Sequence, residues 1–357
     1  MSKWFEITET MMASSLDQDA RAVLLPAFDT LDVVDAMVPF LEKGGCSVLI
    51  GETRAEYVAR SMSTERLARE TPDGFRASIA VLQAITPHLI VAVDQELGGI
   101  QRLVGLVPPL PSLEEAHALS QDALAERCRI AAQGARELGV SMFLAPIADI
   151  IDGQNIWLRA RTMGSYPQAV ARLVSAFVTG VQAAGIAAVT KHFPGFNNLA
   201  EDPALADVCL ETPLERILHN SLPFTAAIEA GTKAIMTGPA PVAAIDRNNS
   251  ASTSPAVMAM LRSQFGFNGL IVSDDLDAPA TLRGRSLLET AIASLNAGAD
   301  LLLVAGGAHL NALSEGIVAA AQRGDIKRER LADAAARVRQ VAGGCDLSGG
   351  HPFGPGR

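Results

Sequence analysis

The sequence lacks the features that mark several large classes of protein. Its four cysteines, Cys46, Cys128, Cys209 and Cys345, stand far apart, without the paired spacing of a zinc site. Such scattered cysteines are typical of reduced thiols in a cytosolic protein. No Gly-x-Gly-x-x-Gly follows the first apolar run, which argues against a dinucleotide-binding fold. The sequence therefore predicts no metal and no cofactor.

Clusters of basic residues and long apolar segments are also missing. The chain has 29 Lys and Arg against 39 Asp and Glu, a net charge of -10, and no basic cluster that would follow a phosphate backbone. No apolar run approaches the roughly 20 residues of a membrane span. The stretch Met1–Glu9 carries acids where a signal peptide needs an apolar core. We therefore expect no nucleic acid partner, no membrane association and a cytoplasmic location.

What the sequence does contain is a regular alternation of two patterns. With 357 residues and 49% hydrophobic content, the chain can bury a large core. Short apolar runs alternate with longer amphipathic stretches, a pattern typical of repeated βα units and a parallel sheet. The predicted strands number eight, and they are Ala22–Phe28, Cys46–Ile50, Leu89–Val93, Ser141–Ala145, Ile186–Thr190, Lys233–Thr237, Leu270–Ser273 and Asp300–Val304.

Eight βα units favour a closed α/β barrel, the (β/α)8 or TIM barrel, as a single domain. An open doubly wound sheet is the second alternative. The predicted helices are Ser112–Leu138, Pro167–Ala184, Leu214–Ala230, Ser254–Phe265 and Arg328–Val341. We assign residues 1–343 to the barrel. Residues 344–357 are rich in glycine and proline, and we expect a disordered tail there.

Polar residues follow several of the predicted strands. In a parallel barrel the carboxyl ends of the strands share one face, so these residues become neighbours there. Carboxylates, arginines, a lysine and a histidine around one mouth suit a ligand with many hydroxyls, because each hydroxyl both donates and accepts. A small-molecule sugar fits that description. The residues are Asp94, Gln95, Glu96, Arg102, Asp149, Arg161, Lys191, His192, Asp274 and Asp275.

Four motifs make the chain resemble glycoside hydrolase family 3, specifically its single-barrel β-N-acetylhexosaminidase branch. The resemblance runs from about the second strand to the last helix. The motifs are Asp94-Gln-Glu-Leu-Gly-Gly-Ile-Gln-Arg102, Arg161-Thr-Met-Gly-Ser165, Lys191-His-Phe-Pro-Gly195 and Val272-Ser-Asp-Asp-Leu276.

The resemblance implies roles for individual residues. It makes Asp274 the nucleophile of a retaining glycosidase, in which a carboxylate attacks the anomeric carbon and a second group protonates the leaving oxygen. Asp275 is expected to be structural. The family's clamp on the sugar hydroxyls is matched by Asp94, Arg102, Arg161, Lys191 and His192.

The proton donor is where the sequence departs from the family. There, Lys-His-Phe-Pro-Gly is followed by His-Gly and then by an Asp-Ser-His dyad whose histidine is the acid/base. Here Phe196 and Asn197 stand for His-Gly, and Ala204 stands where the histidine belongs. Asp202 matches the dyad aspartate, so we take it as the candidate replacement acid. Smaller departures lie at Leu97, Gly99 and Ala160, and other loop acids are Glu201 and Asp207.

The sequence leaves three functions open. The preferred one is a hydrolase that cleaves a β-linked amino sugar or a related small glycoside through an intermediate on Asp274. A second is a catalytically silent relative that binds a sugar-containing metabolite. A third is a barrel that performs another reaction, such as a step in secondary metabolism, since function is carried by the site and not by the fold.

Overall fold

The computed structural model describes residues 16–344 as a barrel of eight parallel strands. The barrel strands are β1 (Leu24–Phe28), β2 (Ser47–Ile50), β3 (Ile90–Val93), β4 (Met142–Phe143), β5 (Ala187–Phe193), β6 (Ala234–Thr237), β9 (Leu270–Val272) and β10 (Leu302–Ala305); β7 (Pro241–Val242) and β8 (Asp246–Ser250) form a separate pair. The barrel strands hydrogen-bond in the order β10-β1-β2-β3-β4-β5-β6-β9. Backbone hydrogen bonds from Ser273 to Leu301 and from Leu276 to Leu303 join β9 to β10 and close the ring.

Each of the eight predicted apolar runs overlaps one barrel strand, so the (β/α)8 prediction is confirmed. The apolar runs are continuous because both faces of the strands are covered, one by the barrel interior and one by helices. The largest difference is at β5, which continues to Phe193 instead of ending at Thr190. Its register with β6 shifts between Thr190 and Phe193. Such bulges at a barrel rim re-aim side chains, here those of Lys191 and His192.

The helices surround the sheet and connect successive strands. The helix Gln121–Glu137 packs closely on Pro167–Ala183, because Gly180 has no side chain to separate them: a Cβ there would lie 2.0 Å from the carbonyl oxygen of Ala125. Residues 16–22 are helical. The helices that follow are Val34–Glu42, Arg54–Ala59, Thr64–Arg69, Pro72–Ile85, Leu113–Ala118, Gln121–Glu137, Pro167–Ala183, Leu214–Asn220, Leu222–Glu229, Pro255–Ala259, Met260–Gln264, Pro279–Leu282, Leu287–Ala297, Leu310–Arg323 and Arg328–Ala342, with a 3₁₀ turn at Ala251–Thr253.

Two predicted helices are each divided in two, and the prediction of single helices was wrong. Between 112 and 138 the backbone is extended at Leu119, and Ser120 caps a second helix by accepting from the amide of Ala123. Between 214 and 230 the chain breaks at Ser221, because Pro223 has no amide hydrogen to continue the hydrogen-bond ladder. The predicted cap at Ser112 is confirmed, and its hydroxyl accepts from the amide of Glu115.

A small antiparallel pair that the sequence did not indicate follows β6. It consists of β7 (Pro241–Val242) and β8 (Asp246–Ser250), and it brings the next turn back beneath the end of β9. The predicted tail, apart from Gly344, lies outside the described residues. Within 16–344, no helix combines the length and apolar character needed to cross a membrane.

Candidate active site

A cavity of about 500 Å³ opens at the carboxyl ends of the barrel strands. This is within the usual size range of small-molecule sites. Most of its wall is apolar, and several polar side chains lie together on one part of it. The side chains of the cavity that can ionise include Glu52, Asp94, Arg161, Lys191, His192, Asp274 and Asp275.

Asp274 follows β9 and presents an unengaged carboxylate oxygen. Its amide donates to Oγ of Ser252 at 2.9 Å, and its Oδ1 accepts from the amide of Asp275 at 2.8 Å. Its Oδ2 is buried without a hydrogen-bond partner, 3.9 Å from Nε2 of His192. Burial raises the pKa of Asp274, while His192, the amide of Asp275 and the cations Lys191 and Arg161 oppose that rise. The protein therefore holds this carboxylate through one oxygen, while the other oxygen has no hydrogen-bond partner.

His192 is oriented by Asp149, which lies fully buried after β4. Oδ2 of Asp149 accepts from both the backbone amide of His192, at 2.9 Å, and the ring Nδ1, at 2.8 Å. The other face of the imidazole lies against Trp157, with ring centroids 4.5 Å apart. The imidazole is therefore held with Nε2 directed towards Asp274.

The clamp expected from the sequence is partly assembled beside this pair. Nζ of Lys191 lies 2.5 Å from Oδ1 of Asp94 and 2.9 Å from Oε1 of Glu96. Arg161 donates twice to Glu96, at 2.6 and 3.2 Å. Burial alone would raise the pKa of Glu96, but Arg161 and Lys191 lower it below its usual range. A Cβ at Gly99 would lie 2.0 Å from Oε2 of Glu96, so a larger residue at this position would displace the ion pair.

Two aromatic side chains that the sequence did not single out complete this wall. The hydroxyl of Tyr57 accepts from Nε1 of Trp157 at 2.9 Å and from Nη1 of Arg161 at 2.8 Å. Both rings line the cavity. A flat aromatic wall beside carboxylates and cations is suited to the mixed apolar and polar faces of a sugar ring.

Arg102 lies outside the cavity, unlike the other expected clamp residues. Its guanidinium is buried and donates to both carboxylate oxygens of Glu70, at 2.7 and 2.8 Å. Its Nε donates to the carbonyl oxygen of Gly51 at 2.7 Å. In this structure Arg102 braces the loop after β2, and none of its contacts supports the expected role in sugar binding.

We expect Arg102→Met to lower the free energy of unfolding by about 3 kcal/mol, the lower end for a broken buried ion pair, because Glu70 loses its bidentate partner and keeps only its pair with Arg66. Denaturant unfolding measures this. Arg69→Met is the matched control: Arg69 is exposed and its 3.8 Å pair with Glu65 is on the surface, so the change stays within about 1 kcal/mol. Equal losses in the two variants would contradict the bracing role.

Asp202 is held in the loop after β5 by structural contacts. Its Oδ2 pairs with Arg54 at 3.2 Å, and its Oδ1 accepts from the amide of Ala204 at 2.9 Å. Ala204 and Pro203 line the cavity, whereas Asp202 does not. The other loop acid Asp207 pairs with Arg283 at 2.7 Å. Proton transfer by Asp202 stays a prediction, and its carboxylate is already used to fold the loop.

The stretch that replaces the family's His-Gly fixes the start of this loop. Phe196 is fully buried, its amide donates to Asp149 at 2.8 Å, and its carbonyl oxygen accepts from Asn155 at 2.8 Å. The Oδ1 atom of Asn197 accepts from Thr212 at 2.7 Å. Buried aromatic packing and paired amides therefore replace a polar, ionisable segment.

Glu52 is a cavity residue that the sequence reasoning missed. It comes two residues after β2, at a position equivalent to those of the polar residues collected from the other strand ends. Its Oε2 is buried without a hydrogen-bond partner. Burial raises the pKa of Glu52 to about 8, and the neighbouring Asp94 and Glu96 contribute to the rise. Including the polar residue that follows the second strand, as for the other strands, would have predicted Glu52.

The structure describes no metal centre. No group of three or more His, Cys, Asp or Glu side chains that could hold a metal ion occurs between residues 16 and 344.

The closed parallel barrel, with a carboxylate at the end of its seventh strand and a polar clamp beside it, places this protein in the class of TIM-barrel proteins with a glycosidase-type site.

Comparison with known proteins identifies the family. The family model for the glycosyl hydrolase family 3 N terminal domain matches residues 51–341, and the chain belongs to glycoside hydrolase family 3. A β-hexosaminidase of Methylococcus capsulatus is 31% identical over 239 residues, 66% of this chain and 72% of that protein. One from Xanthomonas oryzae pv. oryzae is 32% identical over 234 residues, 63% of this chain and 70% of that protein.

Solved structures of the same family have the same fold. A family 3 β-N-acetylglucosaminidase from Paenibacillus sp. superposes with a TM-score of 0.82 at 27% identity, covering 95% of this chain and 64% of that one. The present chain thus spans less than two thirds of the Paenibacillus protein. A β-N-acetylhexosaminidase from Beutenbergia cavernae gives a TM-score of 0.79 at 25% identity, covering 92% of this chain and 98% of that one.

Proposed function

We propose that this protein is a retaining glycosidase that removes a β-linked amino sugar from a small glycoside, with Asp274 as nucleophile. The observation that carries the proposal is the environment of Asp274. One of its oxygens accepts from the backbone amide of Asp275, the other is buried without a hydrogen-bond partner, and the residue lines a sugar-sized cavity. Its relatives with β-hexosaminidase names support the amino sugar as substrate class.

The clamp beside Asp274 also supports a sugar ligand. Asp94 and Lys191 form a close ion pair that lines the cavity, and they offer acceptor and donor groups side by side. Adjacent sugar hydroxyls need both kinds of group, because each hydroxyl donates once and accepts up to twice. His192, Tyr57 and Trp157 supply the remaining contact surface. A cytoplasmic location stays part of this proposal.

A mechanism-based fluorosugar tests the covalent step. A 5-fluoro analogue of an N-acetylglucosaminide with an activated leaving group keeps the 2-acetamido group and slows hydrolysis of the intermediate, so the glycosyl group should accumulate on the enzyme. Peptide mapping by mass spectrometry should find the added mass on the peptide that contains Asp274. Unlabelled protein, or a label on another carboxylate, would contradict the proposed nucleophile.

A second candidate function is a binding protein that retains the sugar site without turnover. The observation in its favour is Ala204, which lines the cavity where the family's acid/base histidine would be and cannot transfer a proton. Binding of N-acetylglucosamine without release of nitrophenol from its activated nitrophenyl glycoside would support this candidate over the enzyme.

A further inference from the structure

Two buried carboxyl oxygens in the described chain lack a hydrogen-bond partner, and both belong to residues that line the same cavity. They are Oδ2 of Asp274 and Oε2 of Glu52. A buried polar atom without a partner is costly, and native proteins keep few of them. Asp274 has a role in the proposed reaction. Glu52 has none assigned to it.

Burial first, and then the surrounding charges, explain the raised pKa of Glu52. It faces Asp94 and Glu96 from the loop after β3, Lys191 from β5 and Arg161 from the loop after β4. Arg102 also acts on it through space, but that guanidinium is paired with Glu70. The two nearby carboxylates already balance the cations Lys191 and Arg161. A third negative charge at Glu52 would be unbalanced in a buried place, so the neutral acid is favoured below a pKa of about 8.

A neutral carboxylic acid can donate a hydrogen bond, whereas a carboxylate can only accept one. We propose that Glu52 is a further ligand-contacting residue, which as a neutral acid donates a hydrogen bond to an oxygen atom of the bound sugar. The proposal rests on the sugar-binding function given above. It places a neutral donor beside Asp94, which accepts, and Lys191, which donates as a cation.

This arrangement determines which ligands fit the wall. A neutral sugar with a hydroxyl oxygen at this place satisfies the acid without changing the net charge of the cluster. Ionisation of Glu52 removes the donor and adds a buried negative charge. Affinity for a neutral sugar therefore depends on the proton that Glu52 carries, and it falls as the pH rises through about 8.

Binding of N-acetylglucosamine, measured by titration calorimetry between pH 6 and 10, tests the proposal. For the wild type, the dissociation constant is expected to rise about tenfold per pH unit above pH 8. Glu52→Gln keeps the shape and a permanent N–H donor, so its affinity should match the wild type at pH 6 and stay level to pH 10. Glu52→Leu should bind several-fold to tenfold more weakly at pH 6, because the donor is gone.

Two controls separate this effect from others. Glu65→Gln alters an exposed glutamate on the helix Thr64–Arg69 and should leave the affinity and its pH dependence unchanged. Asp275 also lines the cavity, and burial raises its pKa to about 7. A pH effect due to Asp275 would persist in Glu52→Gln, whereas an effect due to Glu52 would disappear.

A second measurement needs no ligand. Because Glu52 holds its proton more tightly in the folded state than in the unfolded state, the wild type loses stability relative to Glu52→Gln as the pH rises from about 4.5 to about 8. The Tm of Glu52→Gln should therefore match the wild type near pH 4.5 and exceed it by a few degrees at pH 8.

The outcomes distinguish this inference from the proposed function. If N-acetylglucosamine binds, but the wild type and both Glu52 variants bind it equally at every pH, the role of Glu52 is overturned and the sugar site stands. Affinity that rises with pH would also overturn it, since the carboxylate would then be the binding form. If the wild type does not bind this sugar and Asp274 takes no label, both proposals fail.

Discussion

Asp274→Ala is expected to lower kcat on an activated aryl glycoside by roughly 10⁴-fold or more, as removal of a nucleophile does in other enzymes. The reason is that the two-step route through a covalent intermediate needs a carboxylate at the anomeric carbon. Binding of N-acetylglucosamine should remain, because the clamp at Asp94 and Lys191 is untouched. Steady-state kinetics and calorimetry together measure this separation of turnover from binding.

Adding azide to the Asp274→Ala variant gives a second test of the nucleophile. In the space left by the truncated side chain, azide can attack the same carbon and restore turnover, with a glycosyl azide of inverted configuration as product. Asp277→Asn is the matched control in the same segment: the Oδ2 atom of Asp277 accepts from the amide of Ala305, and the replacing amide oxygen can do so too. Full activity in Asp274→Ala, or equal loss in Asp277→Asn, would contradict the assignment.

The activity of the wild type is expected to fall at acid pH. Asp274 must be ionised to attack, so activity is lost as the pH falls through its pKa. Burial raises that pKa, and the nearby His192 opposes the rise. We therefore expect the acid limb of kcat/KM to lie above the ordinary range of an aspartate. An acid limb at or below that range would contradict the burial seen here.

The second large effect concerns the leaving group. Ala204 cannot protonate the departing oxygen, so hydrolysis should depend steeply on how stable the departing anion is. We expect nitrophenyl glycosides to be cleaved and alkyl glycosides of the same sugar to be slower by more than the usual margin. A missing general acid typically costs 10²- to 10⁴-fold, roughly 3 to 5 kcal/mol of barrier. A series of aryl glycosides with graded phenol pKa values measures the slope.

Ala204→His provides the complementary gain. The position lines the cavity, so a larger side chain can reach into it. We expect the imidazole to accelerate cleavage of poor leaving groups while changing activated substrates little, and to introduce a new limb in the pH profile on the alkaline side. Ala204→Asn, similar in polarity but without a titratable group, should show neither change. Equal rates for alkyl and nitrophenyl glycosides in the wild type would show that another acid serves this loop.

Local sequence patterns were enough to predict the strands. The errors in the helix predictions also have a physical reason. The apolar run Leu270–Ser273 predicted β9 because a strand buried on both faces needs no polar residue along its length. Ser112–Leu138 gave one helix where there are two, because the break depends on a single extended residue, Leu119, and on a local serine cap. Amphipathic spacing continues across such a break.

The sequence predicted which cavity three of the clamp residues share, but it did not predict the position of Arg102. Asp94, Lys191 and His192 follow from the strand ends and the resemblance, and the structure brings them to one cavity with Asp274. Arg102 has the family's spacing, but its direction depends on Glu70, which lies 32 residues earlier in the chain. No local pattern contains that pairing.

The sequence by itself determined the eight-unit barrel, the family and the carboxylate at the end of the seventh strand, because each depends on short-range pattern or motif. Only the tertiary structure decided which polar groups share a cavity and which neutralise one another. Glu52 shows the physical reason. Burial raises its pKa most, Asp94 and Glu96 add to the rise, and Lys191 and Arg161 oppose it; three different strands deliver these four residues to its surroundings. Electrostatic environment is a property of that assembly, so it could be read only after the barrel had closed.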